Sequence, residues 1–441
     1  MNLKARGWVA AGMAAFSAAA FAAQDGGTMS LADAIRASLA HSTSVKEAQS
    51  AYLAARARTG QDASRQLPQL GFDASVTRYD DRTTVLFPGA TRPFELAPNN
   101  QEALTLALTQ DLDISGQLGL ITSRSRLEAR AAQYEVLAAT SDQALTTTTA
   151  YYAVLRAEQN VRVAEAALTA YREQQATTTR LYKGGVGQRI DVDRADSQVA
   201  EAQSEVVRRG NELASARSSL NDLVGMPLDA VEGLADPSLS DGSSHPSTTE
   251  AASRADLIAK ALQQRPEALE ATVEVSAAKK GIAVARTTSA PAMYVSLTGS
   301  RYPTTSFESP RQNVAALTLS LSVPIFDGGL ARAKVAEAKD LVASAEARQD
   351  RVRRDIALQV QNAALDVETA RQRLTAAIAG LQSATAARKL AQQRYESQVG
   401  LYIEVTDAES ALTAAQAAKV EATYDLLTAQ AQLAHAIHDE K

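Results

Sequence analysis

The chain has 441 residues, no cysteine, and 45 basic against 50 acidic side chains, a formal charge of −5. Disulfides, thiolate metal sites and cysteine nucleophiles are therefore excluded, and without a basic face a nucleic-acid partner is not expected. Aromatic residues make up only 5% while alanine supplies much of the apolar content, a mixture typical of long packed helices rather than of compact domains.

Lys4 and Arg6 precede an apolar run from Trp8 to Phe21 that closes on Ala20-Phe21-Ala22. A charged start, an apolar middle and a small-x-small end predict a secretory signal peptide over residues 1–22. Read as an anchor, the run is too short to span a bilayer. No later stretch is long and apolar enough for a membrane helix, so any membrane-spanning part would be β-strands.

From Ser30 to Gln66 the apolar positions Leu31, Ala34, Ile35, Leu39, Val45, Ala48, Tyr52 and Leu53 follow helical spacing, and Pro68 stops the pattern. Phe72, Ala74 and Val76 then alternate with Asp73, Ser75 and Thr77, a strand signature. Asp80 to Asn100, with Pro88, Pro93 and Pro98, reads as a long loop. Leu104, Leu106, Leu108, Leu112 and Ile114 form the apolar side of a second strand, giving a hairpin over 70–114. Residues 118–182 follow as one helix without proline, about 98 Å long at 1.5 Å per residue. Gly184-Gly185-Val186-Gly187 turns the chain, and a return helix runs over 191–223. This glycine run follows a helix and lacks a Lys-Ser/Thr, so it is a turn and not a phosphate loop.

After a Pro/Gly/Ser-rich connection over 228–250 the chain repeats itself. Ala255-Asp256-Leu257-Ile258 answers Ala32-Asp33-Ala34-Ile35 at an offset of 223 residues. Leu317-Thr318-Leu319 answers Leu104-Thr105-Leu106 at 213, and the same offset carries Gly116 to Gly329, Tyr182 to Tyr395 and Gly187 to Gly400. The two repeats cover 23–227 and 251–441; the second has a hairpin over 292–326, a long helix over 330–395 and a return helix over 404–436. On that long helix Val352, Ile356, Val360, Val367, Leu374, Ile378 and Leu381 recur at helical spacing. So few large apolar residues along such a rod must pack on other rods. The strands have the length that crosses an outer membrane, with one apolar face and one of Thr, Ser and Gln. Four strands cannot close a barrel, and open edges are not tolerated in lipid, so an oligomer is expected.

These features together resemble the TolC family of outer-membrane efflux and secretion channels, over essentially the whole chain after the signal peptide. Pro324-Ile325-Phe326-Asp327-Gly328-Gly329 is similar to the family's junction between strand and rod. Tyr395 followed by Asp407-Ala408-Glu409, and Tyr182 with Asp191-Val192-Asp193-Arg194-Ala195, are similar to its turn motifs. The resemblance implies an α+β membrane protein: a homotrimer whose β-barrel in the outer-membrane lipid takes four strands from each chain and continues as an α-helical coiled-coil barrel in the periplasm. It also implies a periplasmic adaptor and an inner-membrane transporter as partners. One position departs from the family: Gln398 stands where a glycine is usual, three residues after the turn tyrosine, and the glycine comes later as Gly400.

Glu404 and Asp407, three apart on one helical face, would form stacked acidic rings about a threefold axis and select cations. By resemblance they match a carboxylate pair at the periplasmic constriction. Thr406 to Glu409 also reads as a local capping box. By resemblance, again, Asp191 and Tyr395 are positioned to bond across neighbouring rods and hold the tip shut, whereas elementary packing makes Tyr395 a simple rod-end contact. His435, His438 and Asp439 lack a third positioned ligand and read as a solvated helix end rather than a metal site. The expected function is a passive outer-membrane duct of an efflux pump or type I secretion system, without catalytic residues, cofactor or metal; the alternative is a periplasmic helical adaptor or scaffold.

Overall fold

In the computed structural model, residues 28–439 are described apart from 82, 90, 98, 231–232, 237–252 and 304–312. The predicted signal peptide 1–22 and most of the predicted connection 228–250 lie outside the described residues. The chain begins with α1 (Leu31–His41) and α2 (Thr43–Ser64), where the periodicity predicted one helix. Ser42 interrupts them: its backbone leaves the helical region (φ −51°, ψ 125°) and its hydroxyl accepts from the Val45 amide, so it caps α2 instead of continuing α1. Ser30 caps α1 in the same way through the Asp33 amide.

β1 (Gln69–Arg78) and β4 (Asn100–Leu112) flank a small two-stranded sheet of β2 (Thr83–Val85) and β3 (Phe94–Ala97). This is a correction to the predicted loop over Asp80 to Asn100. The prolines that argued against structure there, Pro88 and Pro93, fall between the two short strands, where they break no ladder. Ile114 also lies beyond the end of β4, not within it. The rod α3 (Gln117–Lys183) and its return α4 (Arg189–Val224) complete the first repeat.

The second repeat follows the same plan. α5 (Arg254–Gln264) is opened by a capping box between Ser253 and Asp256. It breaks at Arg265, the position answering Ser42 at the 223-residue offset, and α6 (Pro266–Arg286) begins on a proline that needs no backbone donor. β5 (Ala292–Arg301), β6 (Asn313–Ser322), the rod α7 (Leu330–Glu396) and the return α8 (Tyr402–Ala436) follow. Carboxylates cap both rods. Asp113 accepts from the Leu118 and Gly119 amides at 3.0 and 2.8 Å. Asp327 accepts from Gly329 and Ala331 at 2.9 and 3.0 Å and from the Ser289 hydroxyl, which, with those amides, holds it down at about 2.

The main sheet has the order β1-β4-β5-β6, antiparallel throughout. Its register places Leu70, Leu108, Leu297 and Leu317 in one row across all four strands, with Phe72, Leu106, Gly299 and Ala315 in the next. Paired residues share a face, so the middle rows of one side are apolar. Its leucines are exposed, Leu317 at 73%. The opposite side carries rows such as Asp73, Thr105 and Ser300, and Thr109, Ser296 and Thr318.

The helices continue this order. Near the sheet α2 packs on α3, α3 on α6 and α6 on α7; away from it α4 packs on α3, α3 on α8 and α8 on α7. One edge of the wall is thus β1, α2 and α4, and the other is β6 and α7. The predicted apolar stripe of α7 is buried only at mid-length. Ile356, Val360 and Val367 meet Leu257, Leu433 and Ile437 there, while Ile378, Leu358, Leu365 and Leu390 stay exposed. A second core gathers Tyr151, Leu155, Leu220, Val224 and Tyr424, and the Tyr151 hydroxyl donates to the Met29 and Ala235 carbonyls at 2.9 and 2.6 Å. Burial pushes the Tyr151 phenol up to about 12.

Between these cores and the sheet, Arg348 of α7 reaches Glu274 at 2.9 Å and Glu270 at 3.7 Å on α6. Burial first, then the charge of Glu274, raises the Glu270 carboxyl to about 7; Glu135 of α3 and Glu267 push the same way and Arg348 opposes them. His435 is a correction to the solvated helix end. Its side chain is only 15% exposed, its Nδ1 bonds the Ser141 hydroxyl at 2.9 Å, and its Nε2 lies 3.3 Å from Asp142. Among the described residues no cluster of three or more His, Asp or Glu is placed to hold a metal.

Candidate functional site

The ends of the two helical hairpins, farthest from the sheet, gather the residues singled out in the sequence. Both turns are built alike. Gly185, Val186 and Gly187 donate their amides to the carbonyls of Tyr182, Leu181 and Leu181; at the 213-residue offset Gln398, Val399 and Gly400 donate to Tyr395, Arg394 and Arg394. The last glycine of each turn passes against the rod it leaves. A Cβ on Gly187 would lie 2.7 Å from the Tyr182 nitrogen, and one on Gly400 would lie 2.9 Å from the Arg394 Cβ. No larger residue fits either place without moving the backbone.

The two turns differ at their first position. Gly185 has φ +79°, and Gln398, its counterpart, has φ +62°. A side chain in this left-handed region costs roughly 1 kcal/mol relative to glycine. Gln398→Gly is therefore expected to raise hydrogen-exchange protection of the Val399 and Gly400 amides about fivefold. Unchanged protection would show that the turn carries no such strain.

Around the turns Ala195, Ala391, Tyr395, Tyr402 and Val405 form a small buried cluster. The Tyr395 and Tyr402 ring centroids are 5.7 Å apart, and the Tyr402 hydroxyl donates to Gln198 of α4 at 3.2 Å. The first hairpin is thereby tied to the second. Burial raises Tyr402 and, less strongly, Tyr395, and the Asp191 charge adds to both. Asp191 lies in the first turn of α4, half-buried, and its carboxyl is raised by burial against the opposing charge of Arg194. No hydrogen bond joins Asp191 to Tyr395 within the chain, among the described residues.

Glu404 is half-buried in the first turn of α8, and its Oε2 lies 3.7 Å from Nε of Arg394. Asp407 is exposed one turn further on. The capping reading of Thr406 to Glu409 is corrected. α8 already starts at Tyr402, the Thr406 hydroxyl donates back to the Ile403 carbonyl, and Glu409 is buried against Arg388 at 2.8 Å. Sequence reasoning missed Tyr402, Gln198 and Arg394. It also missed that Asp191 and Glu404 are counterparts, although the offset of 213 that joins Tyr182 to Tyr395 joins these two as well. Val186, Ile190, Val399, Leu401 and Ile403 leave an exposed apolar surface over both turns.

A sheet with one lipid-compatible face, continuous with rods of about 100 Å that end in a carboxylate-bearing tip, defines a segment of a channel wall. The profile of the outer membrane efflux protein family matches residues 34–226 and again residues 257–437, so the chain belongs to that family and carries its unit twice. It is 24% identical over 336 residues to the probable outer membrane lipoprotein SilC of Salmonella typhimurium, covering 72% of this chain and 68% of that one. It is 26% identical to the protein CyaE of Bordetella pertussis, covering 87% and 78%. Among solved structures, the outer membrane protein VceC of Vibrio cholerae superposes with a TM-score of 0.75 at 20% identity, over 92% of this chain and 95% of VceC. CusC superposes with a TM-score of 0.79 at 19% identity, over 92% and 91%. The protein is thus an outer-membrane channel component of an efflux or secretion system and not an enzyme; the adaptor reading is not favoured.

Proposed function

We propose that three copies of this chain close one duct, with the free edge of β6 and α7 in each copy meeting β1, α2 and α4 of the next. The observation that carries this reading is the shared order of sheet and helices, which leaves the unpaired strand edges directly above the unpaired helix edges. A strand edge left open in lipid is too costly to persist, and the exposed leucines of α7 need a cover of the same kind. Detergent-extracted protein is expected to run at three chain masses and to conduct ions in planar bilayers. A soluble monomer would overturn this reading.

The duct is passive and carries its cargo from the periplasm to the exterior. A periplasmic adaptor, with an inner-membrane transporter behind it, docks on the exposed apolar residues of the tips. Closure lies at the same end. Around a threefold axis Glu404 and Asp407 form two acidic rings, with Asp191 and Tyr395 packed behind them and Arg394 restraining Glu404. Such rings attract and hold multivalent cations. The double variant Glu404→Ala, Asp407→Ala is expected to weaken divalent-cation block about tenfold in single-channel recordings. Unchanged block in a correctly assembled channel would remove both residues from the gate.

A further inference from the structure

The lipid-compatible face of the sheet has one gap. Gly299 of β5 stands between Leu106 and Ala315 in the row led by Phe72, and a Cβ built there meets nothing within 4 Å. The result is a cleft of about 470 Å³ whose apolar walls include Phe72, Leu104, Leu106 and Ala315. Arg301 and Asn313, cross-strand partners in the next row, form its rim. Arg301 is exposed and makes no ion pair among the described residues. That rim lies at the loop ends of the strands, away from the rods. With the rods in the periplasm it faces the outer leaflet.

We propose that this cleft binds a phosphorylated, acylated glycolipid of the outer leaflet, with an acyl chain lying over Gly299 and a phosphate held by the Arg301 guanidinium. The proposal rests on the reading of the sheet as part of an outer-membrane barrel. Shape, charge and position agree on this occupant. The floor is apolar and continuous with the lipid-facing leucines. The cation at the rim has no ion-pair partner among the described residues, and its planar donors match phosphate oxygens in a bidentate manner. A phosphate in that leaflet sits at the end of the strands where Arg301 stands. A second copy of the chain suits the cleft less well, because strands of neighbouring copies pair edge to edge in the plane of the sheet, while the cleft opens on the sheet's apolar face.

The assembled channel, reconstituted into phosphatidylcholine vesicles doped with fluorescent bis-phosphorylated lipid A and re-extracted in mild detergent, is expected to retain labelled lipid. Arg301→Gln should lower retention about tenfold. Gly299→Leu, whose side chain has room, should do the same without loss of assembly. Dephosphorylated lipid A should be retained by the wild-type channel no better than the phosphorylated form is by the Arg301→Gln variant. Equal retention by wild type and both variants overturns the site while leaving the barrel intact. Failure of the wild-type chain to insert would remove the barrel reading and the site with it. Loss of assembly in Gly299→Leu, with retention unchanged in Arg301→Gln, would assign the cleft to a second copy and overturn the lipid assignment.

Discussion

Leu317→Arg is expected to abolish recovery of the channel from the outer-membrane fraction, while Thr318→Arg, one residue along, leaves recovery close to wild type. Leu317 is 73% exposed and ends the row that runs through Leu70, Leu108 and Leu297. In water this exposure would cost little and a charge in its place would cost nothing. In lipid an arginine near the bilayer midplane costs about 2–4 kcal/mol, and every copy in the assembly would bear it. Thr318 pairs with Ser296 on the opposite face, where a charge meets water and alters only the lining of the pore. Strand side chains alternate strictly, so neighbours in sequence report on opposite environments. The measurement is the ratio of assembled channel in outer membranes to total chain. Equal recovery of both variants would show that the leucine face does not meet lipid.

Glu270→Gln is expected to raise the stability of each chain by about 3 kcal/mol at pH 8 and by almost nothing at pH 4. Glu270 is held between Glu267 and Glu274 on its own helix, Glu135 on α3 and Arg348 on α7, and its carboxyl is raised to about 7 chiefly by burial. The folded protein therefore prefers this group protonated. The contribution of Glu270 is most favourable below the ordinary value of 4.5, where both states carry the proton. It falls as pH rises towards 7 and levels off above that. The amide imitates the protonated carboxyl and removes the dependence. Thermal unfolding between pH 4 and pH 8 checks this: the wild-type Tm should fall along that range relative to the variant. Parallel curves would show that Glu270 titrates alike in the folded and unfolded chain.

Helical periodicity, strand alternation and the two offsets made the elements and their duplication readable, because each is a local pattern repeated along the chain. Breaks and partners were harder to read. The pause at Ser42 depends on one hydroxyl capping one amide, and a run such as Leu39, Val45 and Ala48 looks continuous across it. The β2–β3 pair was hidden because Pro88 and Pro93 signal irregular chain and do not reveal that short strands flank them. His435 was misread because its partners, Ser141 and Asp142, stand almost 300 residues earlier. The positions of Glu404, Asp191 and Tyr395 at one end followed from the repeat, but what holds them there did not. The Arg394–Glu404 pair depends on how α7 turns into α8, and the Tyr402–Gln198 bond joins α8 to α4 only once the two hairpins meet.

The two turns of one chain are built on the same hydrogen bonds and yet are unlike, with glycine against glutamine at the left-handed position and Asp191 against Glu404 behind it. A ligand that engages this end of the molecule therefore finds two classes of site, one of each per chain. Its titration should resolve into two phases of equal amplitude, and a substitution confined to one turn should displace a single phase. Duplication followed by divergence has in this way given a wall made from one kind of chain the recognition properties of a wall made from two.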